Sequence, residues 1–324
     1  MKHEINRSAP NPRSAAETVS RGASEHELRT YFGLSLLVLI WAANFSVVKA
    51  ALHDLSPLAF NALRFTLASF LLLLLMRGRS GAVERRHWPA LIALGVLGNT
   101  VYQILFIFGL DWTLAGNSSL MLSMTPVFAT LLSVAFRQER VGQMAWAGVA
   151  LSFAGIALVV WGGTKAVRFG AGTVRGDLTT LAASFAWASY TVGSSPLVRR
   201  YGPLPVTAIT MWIGGVGLLA VSVPSLIAQD WGAVRPLSWI AVIYSGVFAI
   251  ALAYLLWYYG IRHIGTTRTA VYTNLIPIVA LTIAWLTLGE VPTWLQIAGA
   301  VGILGGVLLV RVGRIEGPAG EHPP

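Results

Sequence analysis

The sequence predicts an all-α integral membrane protein, with ten transmembrane helices arranged as two inverted five-helix repeats around a central cavity. Three observations carry that expectation. First, 55% of the 324 residues are hydrophobic and only 11% are charged, with a mean hydropathy of +0.67. A soluble domain carries roughly 25% charged residues, and surface-to-volume scaling leaves no soluble core large enough to hide the difference. Second, the apolar residues gather into runs of about 20, the length that crosses roughly 30 Å of hydrocarbon. Third, the chain repeats itself. Gly109 and Gly260, Pro126 and Pro277, Glu139 and Glu290, Gly148 and Gly299, and Gly155 and Gly306 are all 151 residues apart. Trp41 and Trp187, like Pro57 and Pro203, are 146 apart, so a short insertion separates the two matched blocks. A duplicated apolar chain is the usual sequence form of a secondary transporter.

The elements follow in order. Residues 1–30 are polar and mixed in charge, and are expected to be a disordered cytoplasmic tail. The first apolar run is long enough to span, rather than being a cleaved leader. Runs at 33–52, 57–76, 89–109, 116–136 and 141–161 make the first repeat, 31–161. Residues 162–175 are an extracytoplasmic linker. Runs at 176–195, 205–227, 237–260, 268–288 and 293–311 make the second repeat, 176–311, followed by a tail at 312–324. Net charge is +10, which in a soluble protein points to nucleic acid. Here the basic residues sit between apolar runs and set orientation instead, so no nucleic-acid partner is expected. One set of segments holds seventeen Lys and Arg residues, and the opposite loops hold Lys165, Arg168, Arg175 and Arg235. The positive-inside rule puts both termini in the cytoplasm, and five spans per repeat put the second copy in upside down. With no cysteine there is no disulfide framework and no thiolate metal site.

WAANFSVVK in the first run, SPLAFNALRF entering the second, and the Pro126…Glu139 and Pro277…Glu290 blocks come in a characteristic order. In that order the chain resembles the ten-helix EamA-like branch of the drug/metabolite transporter superfamily, over about residues 33–311. The resemblance implies a bundle the size of one chain, a monomer or weak homodimer, with a cavity between the halves. It also implies movement of a small metabolite across the bacterial inner membrane, often export of an amino acid or a relative. The expected partners are then that substrate and the lipid bilayer, with no cofactor and no metal.

Polar and aromatic residues inside spans should face the bundle or a wet cavity. Helical spacing groups Asn99, Tyr102, Gln103 and Phe106 in the third span, Trp41, Asn44, Phe45 and Val48 in the first, and Ser118, Met121 and Thr125 in the fourth. The repeat carries Gln103 to Tyr254, Phe106 to Trp257, Ser118 to Thr269, Met121 to Tyr272, Trp41 to Trp187 and Asn44 to Tyr190. The candidate substrate residues are therefore Trp41, Asn44, Lys49, Asn99, Tyr102, Gln103, Ser118, Met121, Trp187, Tyr190, Tyr254, Trp257 and Tyr272, on spans one, three, four, six, eight and nine. Each has a plainer reading as packing, an interhelical hydrogen bond or a cap. Trp112, Trp231, Trp239 and Trp294 read as interface belt.

Lys49 either draws a substrate carboxylate or snorkels outward. Arg64 lies deeper and reads as structural, bonded to helix-end carbonyls or to Asp54. Glu139 and Glu290, just ahead of spans five and ten, read as helix caps. Asp111 and Asp177 are placed at span ends, so no carboxylate is expected at mid-depth. Pro126 and Pro277 are expected to kink equivalent spans and serve as hinges. The glycines of spans five and ten lie on close-packing faces. An integral-membrane enzyme is disfavoured: HExxH and GxSxG are absent, and the histidines fall in tails or loops. A lipid or head-group flippase is the remaining alternative.

Overall fold

The computed structural model describes residues 12–76, 83–136, 140–166, 173–264, 269 and 272–315. Its helices are α1 (Pro12–Ala51), α2 (Pro57–Met76), α3 (Arg85–Trp112), α4 (Ala115–Ala135), α5 (Gln143–Ala166), α6 (Val174–Tyr201), α7 (Pro203–Ala228), α8 (Pro236–Ile264), α9 (Thr273–Leu288) and α10 (Trp294–Val312). Beyond these, Arg140–Val141 pairs antiparallel with Arg314–Ile315. Eight helices are long and apolar enough to cross a membrane, counting α1 from Leu28. The other two are α6 and the shorter described part of α9. In α6 the polarity lies inside: Asp177, Thr180, Ser184 and Ser194 are all buried. Large apolar side chains such as Phe32, Ile227, Leu286 and Val301 stand exposed, as a lipid-facing shell requires.

The N-terminal tail differs from its expectation. The α1 helix begins at Pro12, so the described part of 1–30 extends the first span as helix. A helix already nucleated and anchored at one end propagates at little cost through residues such as Ala, Glu and Arg. Residues 1–11 and Glu139 lie outside the described residues.

Helices α1, α3, α4, α6, α8 and α9 form a contiguous inner set. In it α1 packs on α8 and α9, α6 on α3 and α4, and α4 on α9. Outside it, α2 packs on α7 and α5 on α10. The α5–α10 contact runs antiparallel through glycines. A Cβ on Gly148 would lie 2.6 Å from the Gly306 carbonyl oxygen, and one on Gly155 would lie 2.6 Å from that of Gly299. Between them Ser152 Oγ donates to the Ile303 carbonyl at 3.5 Å. Without side chains in the way, the backbones reach the close approach that drives helix association in lipid.

Two departures from regular helix recur in both halves. In α3, residues Val96–Val101 are π-helical; in α8, Tyr244–Leu252 are. Shifting the first stretch by the repeat offset of 151 gives 247–252, inside the second. The other departure is in α4, which breaks at Ser123–Met124, while α9 opens with a 3₁₀ turn at Thr273–Leu275. The prolines are therefore not mid-helix kinks. Pro126 and Pro277 each stand in the first turn of the segment that follows a break, where a missing N–H removes no helical bond. The Leu122 carbonyl, four residues before Pro126, accepts instead from Thr125 Oγ1 at 2.8 Å and from Ser184 Oγ at 3.4 Å.

Polar links close both ends of the bundle. Between α1 and α2, Asp54 accepts from Arg235 Nε at 3.0 and 2.9 Å and from Ser238 Oγ at 2.6 Å. At the opposite end of α2, Glu84 pairs with Arg200 and with Arg86, and His87 Nδ1 lies 2.7 Å from the Tyr201 hydroxyl. Hydrogen bonds from Arg235 and Ser238 hold the Asp54 carboxyl down, from its ordinary 3.8 to about 2. A carboxylate with a depressed pKa stabilises the fold above its unfolded value, and that contribution disappears as pH falls through the folded value. The melting temperature should therefore drop as pH falls from about 4 to about 2, and Asp54→Asn should remove that component. A pH titration of thermal unfolding, identical for wild type and variant, would rule this link out.

Candidate transport site

The WAANF and WASYT motifs dock on the π-helical stretches. Trp41 Nε1 donates to the Ala249 carbonyl at 2.8 Å, and Asn44 Oδ1 accepts from Ser245 Oγ at 2.6 Å. Both partners belong to the π stretch of α8. In the other half, Tyr190 lies over Gly98 of the α3 π stretch, where a Cβ would come within 2.5 Å of the ring. A π turn widens the helix and re-aims its carbonyls, so each motif fits a groove that a regular α-helix does not offer.

The candidate substrate residues separate into groups. Tyr102, Trp187 and Tyr190 stack in sequence, with centroids 4.9 and 5.0 Å apart. Trp41 and Trp257 make a second pair at 5.9 Å. Tyr254 stacks on Tyr258 at 6.4 Å, and Tyr258 bonds Thr207. The Tyr190 hydroxyl lies 3.0 Å from Thr210 Oγ1. Asn99 is buried in the α3 π stretch, and its Nδ2 has no partner among the described residues. Ser118 contacts Thr180 at 3.4 Å, Met121 is fully buried beside Leu120 and Val127, and Tyr272 stacks on Tyr31 at 6.3 Å. Ser118 and Met121 sit in packed surroundings, whereas Tyr272 packs in the same cluster as Trp41 and Trp257.

The charged residues take partners that the sequence did not reveal. Lys49 Nζ donates to the carbonyls of Leu110 and Asp111 at 2.9 and 2.6 Å, closing the C-terminal end of α3. Arg64 bonds neither Asp54 nor a helix-end carbonyl. Its Nε donates to Asn61 Oδ1 at 2.8 Å and its Nη2 to Gln103 Oε1 at 2.9 Å. Glu290 caps a helix other than the one that follows it: its oxygens accept from the backbone N–H groups of Ala115 and Gly116, at 2.9 and 3.1 Å, at the start of α4. Helix α10 is closed by its own capping box, Thr293 with Gln296. That T-x-x-Q spacing was present in the sequence and is the signal that could have assigned it.

Asp177 stands at a span end, in the first turn of α6, but it is buried rather than open to solvent. It is 0% exposed and accepts from Thr113, Thr173 and Asn117. Among the described residues no cluster of His, Cys, Asp and Glu could hold a metal ion. One cavity, of about 540 Å³, lies where the start of α3 meets the end of α6, beside His87, Arg199 and Arg200. A second, of about 440 Å³, is an apolar groove between α2 and α7. Neither contains the stacked aromatics.

With that geometry in view, residues 28–161 and 174–312 each match the model of the EamA-like transporter family. A protein of Archaeoglobus fulgidus named "Uncharacterized transporter" is 30% identical over 87% of this chain and 96% of its own. The "Probable terminal-alkyne amino-acid exporter" of Streptantibioticus cattleyicolor is 32% identical over 87% of this chain and 94% of its own. The "Probable amino-acid metabolite efflux pump" of Salmonella typhimurium is 28% identical over 85% and 92%.

Proposed function

The chain belongs to the EamA-like transporter family, and from that premise we propose that it exports an amino acid or a related small metabolite by alternating access. The observation that carries the reading is the interior: aromatic, amide and hydroxyl side chains at repeat-related positions, enclosed by a lipid-facing shell. Aromatic faces pack an apolar side chain or attract an ammonium group. The unpartnered Asn99 amide adds a donor where an unmade hydrogen bond is costly. The names of the two amino-acid relatives point to the same substrate class.

Alternating access needs two ends that open in turn, and an inverted repeat supplies them. Its support is the α5–α10 contact. Residues 152 and 303 are repeat mates that touch each other, and Gly148–Gly306 and Gly155–Gly299 cross over symmetrically about them. Two copies in antiparallel self-contact fit a two-fold axis across the helices, with α6 and α9 completing ten spans. The end links fit the same operation. The repeat takes Asp54 to Arg200 and Glu84 to Arg235, so the two latches occupy equivalent places with the charges exchanged. Opening either end breaks one latch and leaves the other.

Proteoliposome flux tests the function. A panel of labelled amino acids should move saturably, and fluorescent phospholipids should not. Lipid movement without amino-acid movement would instead make the protein a flippase. For orientation, reporter fusions after Arg314 and within 77–88 should read as cytoplasmic, and a fusion at 228–236 should not.

The breaks before Pro126 and Pro277 are the proposed hinges. An Ala at 126 restores an N–H for the Leu122 carbonyl and lets the helix run through Ser123–Met124. The double substitution Pro126→Ala, Pro277→Ala should slow turnover more than it weakens binding. Wild-type turnover in that variant removes the hinge from the mechanism.

A further inference from the structure

We propose that Arg64 is the receptor for an anionic group of the transported molecule, a carboxylate, held in the interior of the bundle between α2 and α3. The inference rests on the transporter reading above and names the chemistry of its substrate. Arg64 is 2% exposed. It stands seven residues past the start of α2, about 10 Å along the helix. An intramembrane cation normally pairs with an acid or with backbone carbonyls, as Lys49 does, yet Arg64 has neither partner among the described residues. Its two hydrogen bonds go to neutral amide oxygens, Asn61 Oδ1 and Gln103 Oε1. The rings of Phe60 and Phe106 lie 5.6 and 5.3 Å from its guanidinium carbon. Tyr102 and Tyr254 are within electrostatic reach.

These groups solvate and orient the guanidinium without neutralising it. A buried charge left without a counter-charge carries a desolvation cost of several kcal/mol. A guanidinium has five N–H donors in a rigid fork. With two engaged, the remaining N–H groups suit a carboxylate, which accepts bidentately and supplies the missing charge.

The architecture does not demand this cation. The repeat carries Asn61 and Arg64 to Thr207 and Thr210, 146 residues on, and Gln103 to Tyr254. In that half the same places are filled by hydroxyls, with Thr207 on Tyr258 and Thr210 on Tyr190. One half of the interior thus presents a positive charge, and the other presents tyrosine rings and oxygens. That asymmetry matches a zwitterion: the carboxylate goes to Arg64, and the ammonium group to the phenol side.

Gln103→Glu separates a receptor from a structural cation. It puts a carboxylate where the amide oxygen already accepts from Nη2, so Arg64 is neutralised from within. The variant should fold and melt no lower than wild type. Two readouts on purified full-length protein decide the matter: thermal shift with the twenty L-amino acids and their C-terminal amides, and flux of the same panel in proteoliposomes. Wild type should prefer at least one acid to its amide by about tenfold or more, the worth of a charged hydrogen bond. Gln103→Glu should erase that preference, and Arg64→Lys, which keeps the charge but not the fork, should reduce it. Acids and amides moving alike through wild type would overturn the receptor while leaving the transporter standing. An acid-selective thermal shift that Gln103→Glu abolishes, without flux, would leave the receptor standing and overturn the transporter. Gln103→Glu binding acids as wild type does overturns the receptor whatever the flux, and neither flux nor an acid-selective shift in wild type overturns both.

Discussion

Replacing Gly306 with alanine should lower the melting temperature of the protein sharply, although it adds only one methyl group. The new Cβ would overlap Ser152 Oγ and would lie 2.5 Å from the Gly148 carbonyl oxygen and 2.7 Å from Ser152 N. Two of these atoms are backbone, which cannot rotate aside. The α5 and α10 helices must therefore separate, and the close packing that this disrupts extends along both. Overpacking of this kind costs about 1–3 kcal/mol, and in lipid no hydrophobic force between helices compensates for looser packing. Gly148→Ala attacks the same gap from the other side, with its Cβ 2.6 Å from the Gly306 oxygen. The double variant should cost less than the two singles together, because one separation accommodates both methyls. Gly305→Ala is the control: its nearest neighbour is a Leu151 methyl at 3.8 Å, and alanine favours helix by about 1 kcal/mol over glycine. Thermal unfolding of the purified variants is the measurement. Equal melting temperatures for Gly306→Ala and Gly305→Ala would show that the glycine seam does not hold these helices together.

That seam was legible because glycine spacing at helical period is a local signal. So were some span limits: the run at 57–76 is the helix Pro57–Met76, and the run at 293–311 lies within a residue of Trp294–Val312, whereas Gln143–Ala166 runs into the expected linker and Val174–Tyr201 outlasts the run at 176–195. The π stretches were not legible. VLGNTV and YSGVFAIAL each carry a glycine that weakens any helix, but nothing in them selects a π turn; Trp41, Asn44 and Tyr190, from elsewhere in the chain, dock on the wider turn. A position just before a span marks Glu290 as a cap, but the helix it caps is 175 residues earlier in sequence. Arg64 has the expected depth but a different partner: helical spacing groups Gln103 with its own span and does not single out Asn61. In each case the periodicity gives the face, while only the packing can give the residue across from it.

Asp177 carries the second large expectation, because its carboxylate ends a chain of hydrogen bonds whose direction is fixed at the far end. The backbone N–H of Thr293 can only donate, and it does so to Gln296 Oε1 at 2.8 Å. Gln296 must then present Nε2 to Asn117, and that amide donates to Asn117 Oδ1 at 2.7 Å. Asn117 is left with Nδ2 facing Asp177, at 3.2 and 3.3 Å from its two oxygens. Thr113 and Thr173 add donors at 2.5 and 3.2 Å, and the first turn of α6 favours a negative charge there. Each of the three side chains that meet Asp177 donates to it. Asp177→Asn keeps the volume but turns one oxygen into a donor. If Asn117 flips to meet it, Gln296 must flip too, and its NH₂ then faces the Thr293 N–H. If the new NH₂ instead faces Thr113 or Thr173, that hydroxyl must turn to accept and gives up the bond it donated to the carboxylate, so one donated bond is lost wherever the fault is moved, at a cost of about 1–3 kcal/mol. Moving the carboxylate should repair it. In the double variant Asp177→Asn, Gln296→Glu the relay runs backwards. The new amide at position 177 donates to Asn117, and Asn117 donates to the new carboxylate at position 296. That carboxylate still accepts from the Thr293 N–H. The double variant should therefore melt above Asp177→Asn alone, although Gln296→Glu by itself sets two buried carboxylates against one amide and should melt below wild type. A double variant no more stable than Asp177→Asn would mean that the relay has no preferred direction.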